Sequence, residues 1–275
     1  MEVRKAIHPR DFENYTTDKI TKEFLLQNLF IPGKLRLTYT YYDRMIVGGV
    51  CPNKPLFLEA GKEIGADYFL AGREMGIINV GARGAVMVDG ETYALDKTDG
   101  LYVGMGSREI VFTSEKNDSP AHFYLLSAPA HKEYPTTKIG IDDAEKISLG
   151  SASESNRRTL NKFIHPDGVS SCQLVMGITA LESGNVWNSM PCHTHERRME
   201  VYFYFDLTDD AVVFHLMGEP DKTRHIVIRN EEAVLSPSWS IHAGAGTSNY
   251  SFIWGMVGEN QTFTDMDAVA MGVLR

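Results

Sequence analysis

The chain is poor in cysteine, in positive charge and in long apolar runs, and each scarcity closes off a class of protein. Its three cysteines, Cys51, Cys172 and Cys192, are an odd number with no close pairing pattern, which argues for a reducing cytosol and against a secreted disulfide scaffold. Lysine and arginine total 27 against 36 aspartates and glutamates, a formal net charge of −9, so bulk attraction to nucleic acid or to an anionic membrane is not expected. Any acidic ligand would need a local basic pocket. No apolar run reaches the roughly 18 residues of a spanning helix, and Met1-Glu-Val-Arg-Lys-Ala-Ile-His-Pro9 lacks the apolar stretch of a signal peptide. These features predict a soluble, cytoplasmic protein. No heptad or low-complexity tract is present, and Gly244-Ala-Gly246 follows a histidine instead of opening a helix, which excludes a dinucleotide-binding loop.

What the chain does have is many short strands. Leu35-Arg-Leu-Thr-Tyr-Thr-Tyr-Tyr42 alternates, Met45–Val50 reads as a buried strand, and Asp89-Gly90 between alternating apolar runs is a strong hairpin signal. The second half repeats the texture in 173–181, 200–205, 211–217, 224–229 and 250–257. Short strands with Gly-rich turns predict an all-β sandwich or jelly roll, and 275 residues suffice for two such domains. Residues 1–34 read differently, as an arm whose Thr17–Asn28 stretch carries helix formers behind a cap at Thr16 or Thr17. Polar, loop-like sequence around 127–160 predicts a boundary near 150.

The chemistry concentrates in Pro191-Cys-His-Thr-His-Glu-Arg-Arg-Met-Glu-Val-Tyr-Phe-Tyr-Phe205. In extended chain, residues i and i+2 leave the same face with Cα atoms roughly 7 Å apart, so His193 and His195 can turn toward one ion. Glu200 breaks that parity and must lie beyond a bend, at the start of a strand where Tyr202 and Tyr204 share its face. A fourth ligand is available in Ser236-Pro-Ser-Trp-Ser-Ile-His242. A random His-x-His is expected about 0.3 times in such a chain, so the pair needs its context. The bland reading makes these surface histidines in a charged loop beside Glu196, Arg197 and Arg198, but their clustering with Glu200 is hard to explain without a metal. Cys192 is either a further ligand or packing, and strand alternation, which points it away from the ion, favours packing.

His-x-His, a glutamate after four intervening residues and a lone histidine some forty residues on resemble the two-part motif of the cupin barrel, with Trp239 where general cupins carry glycine. The first half resembles a cupin in its Asp-Gly hairpin and the following Asp-x-Leu-Tyr-Val strand, yet it has no His-x-His. The resulting expectation is a bicupin of two jelly-roll β-barrels: an N-terminal helical arm over 1–34, a cupin-like barrel without metal over 35–150, and a metal-binding cupin barrel over 151–275.

Longer blocks, Ser155–Lys162, Trp187–Phe205, Pro237–His242 and Phe252–Gln261, resemble the 5-keto-4-deoxyuronate isomerase family over nearly the whole chain. That resemblance implies one zinc ion per chain on His193, His195, Glu200 and His242, a homohexamer, and interconversion of 5-dehydro-4-deoxy-D-glucuronate with 3-deoxy-D-glycero-2,5-hexodiulosonate in pectin and uronate breakdown. A divalent ion on the carbonyl and neighbouring hydroxyl would acidify the C–H between them without redox change. The proton carrier stays open, with Tyr202, Glu232 and a metal-bound hydroxide as candidates and a hydride shift between the carbons as the alternative. The carboxylate of a small acidic sugar should meet a cation, for which Arg158, Lys162, Arg197 and Arg224 are candidates, although each is individually a plain surface charge. Trp254 and Phe252 are read as lining or closing the barrel, or simply as aromatic packing. Two other classes remain: an iron-dependent cupin dioxygenase with the same ligands, and a non-catalytic sugar-binding cupin, which has no helix-turn-helix appendage to report through.

Overall fold

Period-two alternation becomes sheet through most of the chain. The computed structural model describes residues Met1–Arg275 as an all-β protein of two jelly-roll units with short helices near the N-terminus. One unit comprises Met1–Lys5, Asn28–Ala144 and Phe163–Met176, the other Ala6–Gln27, Glu145–Lys162 and Gly177–Arg275. No helix is long and apolar enough to cross a membrane.

In the first unit a seven-stranded sheet runs in the order Glu2–Arg4, Lys34–Thr40, Ile46–Cys51, Phe123–Pro129, Arg73–Asn79, Gly100–Val103, Thr137–Ile139. A four-stranded sheet runs Leu56–Phe57, Ile110–Ser114, Gly84–Val88, Glu91–Leu95. The predicted hairpin closes on Asp89 and Gly90, both at positive φ, and pairs Val88 with Glu91. Glycine removes the steric cost of that left-handed turn. Ile46, Val50, Met75, Ile77, Leu101, Phe123 and Leu125 of the large sheet meet Val86, Val88, Ile110 and Phe112 of the small one in a continuous apolar core.

The second unit repeats the plan. Its seven-stranded sheet runs Glu145–Leu149, Arg158–Ile164, Val175–Leu181, Ser251–Gly258, Arg198–Phe205, Glu232–Ser236, Leu25–Leu26, and its four-stranded sheet Trp187–Asn188, Ile241–Gly246, Val213–Gly218, Arg224–Ile228. A separate short ladder joins His193–Thr194 to Asp267–Ala268.

The stretch 1–34, expected as a helical arm, contributes strands as well as helices. Glu2–Arg4 pairs in parallel with Lys34–Thr40, while Leu25–Leu26 adds an edge strand to Glu232–Ser236. Between them the helix Thr17–Phe24 is capped by Thr16, whose hydroxyl accepts from the Lys19 amide at 3.4 Å, and buries Ile20 and Phe24. Phe24-Leu25-Leu26 is apolar enough to be drawn into the second unit's sheet, which loosely helical spacing did not announce. In the region of the expected boundary the chain passes between units at Ala144/Glu145, and again at Lys162/Phe163 and Met176/Gly177, with Glu145–Leu149 pairing with Arg158–Ile164.

Candidate metal centre and cavity

Three elements of the second unit bring the proposed donors together: the short ladder with the bend after it, the large sheet and the small sheet. Arg198 N–H donates to His195 O at 3.0 Å, closing a tight bend between the His193–Thr194 ladder and the strand Arg198–Phe205. That bend resolves the parity conflict, since it lets Glu200 face the two histidines. His242 arrives from the small sheet, opposite Met217. His193 Nε2 lies 3.1 Å from His195 Nε2 and 3.0 Å from His242 Nε2. Glu200 Oε2 lies 3.2 Å from His195 Nε2 and 2.9 Å from His242 Nε2. The four ligand atoms all fall within 4.8 Å of one another, and His195, Glu200 and His242 are buried.

This packing is awkward for protons and suited to a cation. His193 Nε2 faces two other Nε2 atoms, and one hydrogen can serve only one of those contacts. Glu200 Oε2 is buried without a properly formed hydrogen bond. Burial, then the neighbouring His242 and His195, push the His193 imidazole down to about 3, which keeps it neutral and ready to ligate. Burial alone would raise the Glu200 carboxyl, but the His242 and His195 imidazoles outweigh it and hold the group well below the usual carboxylate range. Three imidazoles and one carboxylate can hold a divalent metal ion. Cys192 is not among the converging donors; its buried side chain packs with Ile241 and Ala243.

A cavity of about 320 Å³ opens over these residues. Its lining includes His193, His195, Glu200, Arg158, Tyr202, Ser189, Trp254 and Phe252, with Phe263, Met266 and Ala268 contributed by the C-terminal segment. Tyr202 Oη pairs with Ser189 Oγ at 2.8 Å, and burial, then Glu200, raise its phenol well above the ordinary value. Trp254 Nε1 donates to Thr179 Oγ1 at 3.1 Å, and Gly177 leaves room for the indole where any Cβ would collide. Arg158 donates from Nη1 to Asn156 O at 2.7 Å, and burial lowers its pKa below the usual guanidinium value.

The other candidates point elsewhere. Lys162 pairs with Glu145 at 3.2 Å and lies over the Phe263 ring. Arg197 is bidentate to Asp265 and also reaches Asp267. Arg224 holds the N-terminal stretch through Tyr15 O at 2.8 Å. Glu232 accepts from Gln27 Nε2 at 2.6 Å and from the Arg229 amide at 2.8 Å, a buried structural carboxylate outside the cavity lining. Ser189, Thr179 and the Phe263–Ala268 wall carried no sequence signal. Only the dense block around His193 hinted at the first, and the last is reached through pairing some seventy residues away.

Comparison with known proteins adds a family. A model of the KduI/IolB family matches residues 25–271. A protein of Caldicellulosiruptor bescii named 4-deoxy-L-threo-5-hexosulose-uronate ketol-isomerase is 60% identical over 276 residues, covering 100% of both chains. Proteins with the same name from Halalkalibacterium halodurans and Escherichia coli strain HS are 55% and 52% identical, again over 100% of both chains. Among solved structures, an IolB-like protein from Salmonella typhimurium superposes with a TM-score of 0.65 at 14% identity, covering 82% of this chain and 86% of that one. Oxalate decarboxylase from Lactobacillus farciminis gives 0.55 at 9% identity, covering 86% and 83%. These two support the bicupin fold and nothing finer.

Proposed function

The chain belongs to the KduI/IolB family, and on that premise we propose that it is a zinc-dependent ketol-isomerase interconverting 5-dehydro-4-deoxy-D-glucuronate and 3-deoxy-D-glycero-2,5-hexodiulosonate. The full-length likeness to ketol-isomerases supports the reaction class. The observation that carries the reading is the cavity, whose lining holds three of the four converging donors, His193, His195 and Glu200, together with a guanidinium, Arg158. His193, His195, Glu200 and His242 would hold a divalent ion, which would supply a Lewis acid for negative charge developing on the carbonyl and hydroxyl oxygens of the reacting carbons.

The chain's own groups do the rest. Arg158 is the cation we assign to the substrate carboxylate, because a guanidinium in a partly desolvated pocket forms strong charge-assisted hydrogen bonds. Its lowered pKa reflects burial that a bound anion would relieve. Tyr202 keeps its proton, since burial and the Glu200 charge oppose the phenolate. It therefore serves as a hydrogen-bond donor to a substrate oxygen, with Ser189 Oγ holding the hydroxyl in place. Trp254 and Phe252 exclude water from the reacting carbons. The resemblance carried by the blocks Ser155–Lys162, Trp187–Phe205, Pro237–His242 and Phe252–Gln261 extends the proposal to a cytoplasmic homohexamer acting on pectin-derived uronates.

The test is turnover of 5-keto-4-deoxyuronate under nitrogen, followed through a product-specific dehydrogenase, together with metal analysis. Oxygen-independent turnover with zinc near one per chain is the expected result. A metal-bearing protein that leaves this substrate unchanged would refute the substrate assignment.

A further inference from the structure

Two consecutive arginines beside the metal ligands grip a single residue of the C-terminal segment. Arg197, on the exposed side, reaches the Asp265 carboxylate from Nε at 3.0 and 2.7 Å and from Nη2 at 2.5 Å, and Asp267 at 3.1 Å. Arg198, almost wholly buried, turns inward and donates from Nη2 to the Asp265 carbonyl at 2.8 Å and from Nη1 to Thr262 O at 2.8 Å. Asn260 Nδ2 adds a hydrogen bond to Asp265 Oδ2 at 2.6 Å. The same Asp265 carbonyl lies 2.8 Å from Nδ1 of His195.

That last contact fixes a chemical state. A carbonyl only accepts, so Nδ1 of His195 carries the hydrogen and donates it to Asp265 O. Arg198 Nη2 also lies 3.1 Å from Nδ1, but a guanidinium only donates, and the Asp265 carbonyl at 2.8 Å is the better acceptor for it. With Nδ1 protonated, the neutral ring presents its lone pair at Nε2, the atom that faces His193 and Glu200. The residues following Asp265 bring Met266 and Ala268 into the cavity wall, pair Ala268 with His193 across a short ladder, and bond the Val269 amide to Cys192 O at 3.0 Å. Most of residues 264–273 are exposed; beyond Asp265 the segment is anchored further along, where Val269 and Leu274 pack against Cys192, Ile241 and Ala243 and Arg275 bonds to Thr223 and Pro220, so the stretch next to His195 is held by the arginines.

We infer that Asp265 is a positioning residue, latched by Arg197 from outside and Arg198 from inside, which sets His195 for metal ligation and in the same movement closes the C-terminal wall of the cavity. This inference rests on the metal reading above. Opening the latch frees the His195 ring to change tautomer and orientation, so the ion and the wall are released together.

The test uses the full chain loaded with cobalt(II), whose visible absorption reports ligand geometry, challenged with excess EDTA. Compared are wild type, Arg197→Ala, Asp265→Ala, the double variant and Arg197→Lys. The two alanine variants should lose cobalt about 10- to 100-fold faster than wild type, with altered absorption bands, an increased KM, and metal-free unfolding midpoints that match the metal-free wild type. The double variant should release well short of multiplicatively, because the Arg197–Asp265 bridge is shared by both changes and only the single Arg197–Asp267 bond is lost in addition to those of Asp265→Ala, and Arg197→Lys should recover part of the retention. Release at the wild-type rate, multiplicative effects in the double variant, or faster release matched by an equal loss of metal-free stability each overturn the latch. A wild type that takes up no ion overturns the metal reading along with it, whereas a wild type that holds cobalt and ignores the uronate leaves the latch standing and refutes only the substrate.

Discussion

In the first unit Met75 is the third residue of the strand Arg73–Asn79, and Ile110 stands opposite Val88 in the small sheet; both belong to the apolar core. At the corresponding places of the second unit, Glu200 is the third residue of Arg198–Phe205 and His242 stands opposite Met217. The two units share a sheet order, so the same interior address is filled by apolar side chains in one and by groups able to ligate a metal in the other. The first choice gains the full hydrophobic term of a closed core. The second forgoes it and adds the cost of desolvating a carboxylate, which a bound cation offsets. Deeper in the second unit the contrast continues: Tyr202, Tyr204, Tyr250 and His215 pack as a polar aromatic cluster, whereas in the first unit Phe112 meets Phe123 as an apolar pair.

The sharpest way to break this comparison is to make the second interior resemble the first. Glu200→Ala or His242→Ala should cost at least about 1000-fold in turnover, from the several kcal/mol a Lewis acid contributes, and zinc should fall well below one per chain on metal analysis. If Glu200→Ala retains both ion and activity, the donor set is misassigned. The opposite experiment acts on the first unit. Phe112→Ala, at a fully buried side chain, should lower stability by about 3–5 kcal/mol in denaturant unfolding while zinc content per folded chain stays at the wild-type level. A smaller effect falls within the second unit, where Arg158→Ala should raise KM about 10- to 100-fold, the value of a charged hydrogen bond, with kcat changed less. A variant that keeps its KM and loses kcat instead would put Arg158 in the chemistry and not in binding.

The reach of the sequence can be read from these same residues. His193, His195 and Glu200 lie within eight positions of one another, so their convergence is a local matter of strand parity and one bend, and His242 follows because its strand must return to the same barrel end. Arg158, Lys162, Arg197 and Arg224 could not be separated by pattern, because long cationic side chains can turn either way from a strand. What sorts them is long-range pairing: Lys162 finds Glu145, Arg197 finds Asp265, Arg224 finds the Tyr15 carbonyl, and Arg158 alone of the four lines the cavity. The N-terminal stretch escaped for a related reason. Leu25–Leu26 is too short to show alternation, and its partner strand Glu232–Ser236 lies more than two hundred residues away.

The smallest expected effect separates the two interiors by acidity. His215 is fully buried in the second unit, with Nδ1 2.8 Å from Tyr204 Oη and its place in the ladder opposite Gly244. Burial, then repulsion from His242, push its pKa down from 6.5 to about 3. The folded pKa lies below the unfolded one, so as pH falls below about 6.5 the unfolded chain takes up this proton first. Stability is therefore fully present above that pH and declines toward about pH 3, by up to about 1.4 kcal/mol per pH unit for one proton. His193 carries the same sign in the metal-free protein, so the contribution of His215 is isolated by comparing wild type with His215→Gln, which retains a polar side chain but does not titrate. Urea unfolding at pH 7, 6, 5 and 4 should give a slope shallower by one proton in the variant. Hydrogen exchange should sharpen the comparison further, because His215 and His242 lie on strands of the second unit's small sheet, whereas no strand of the first unit's small sheet carries a histidine. Near pH 5 the strands Val213–Gly218 and Ile241–Gly246 should lose protection before Gly84–Val88 and Ile110–Ser114. Equal slopes in wild type and variant would mean that His215 keeps its proton when folded, and the acid sensitivity of the second interior would then belong to the ligand histidines alone.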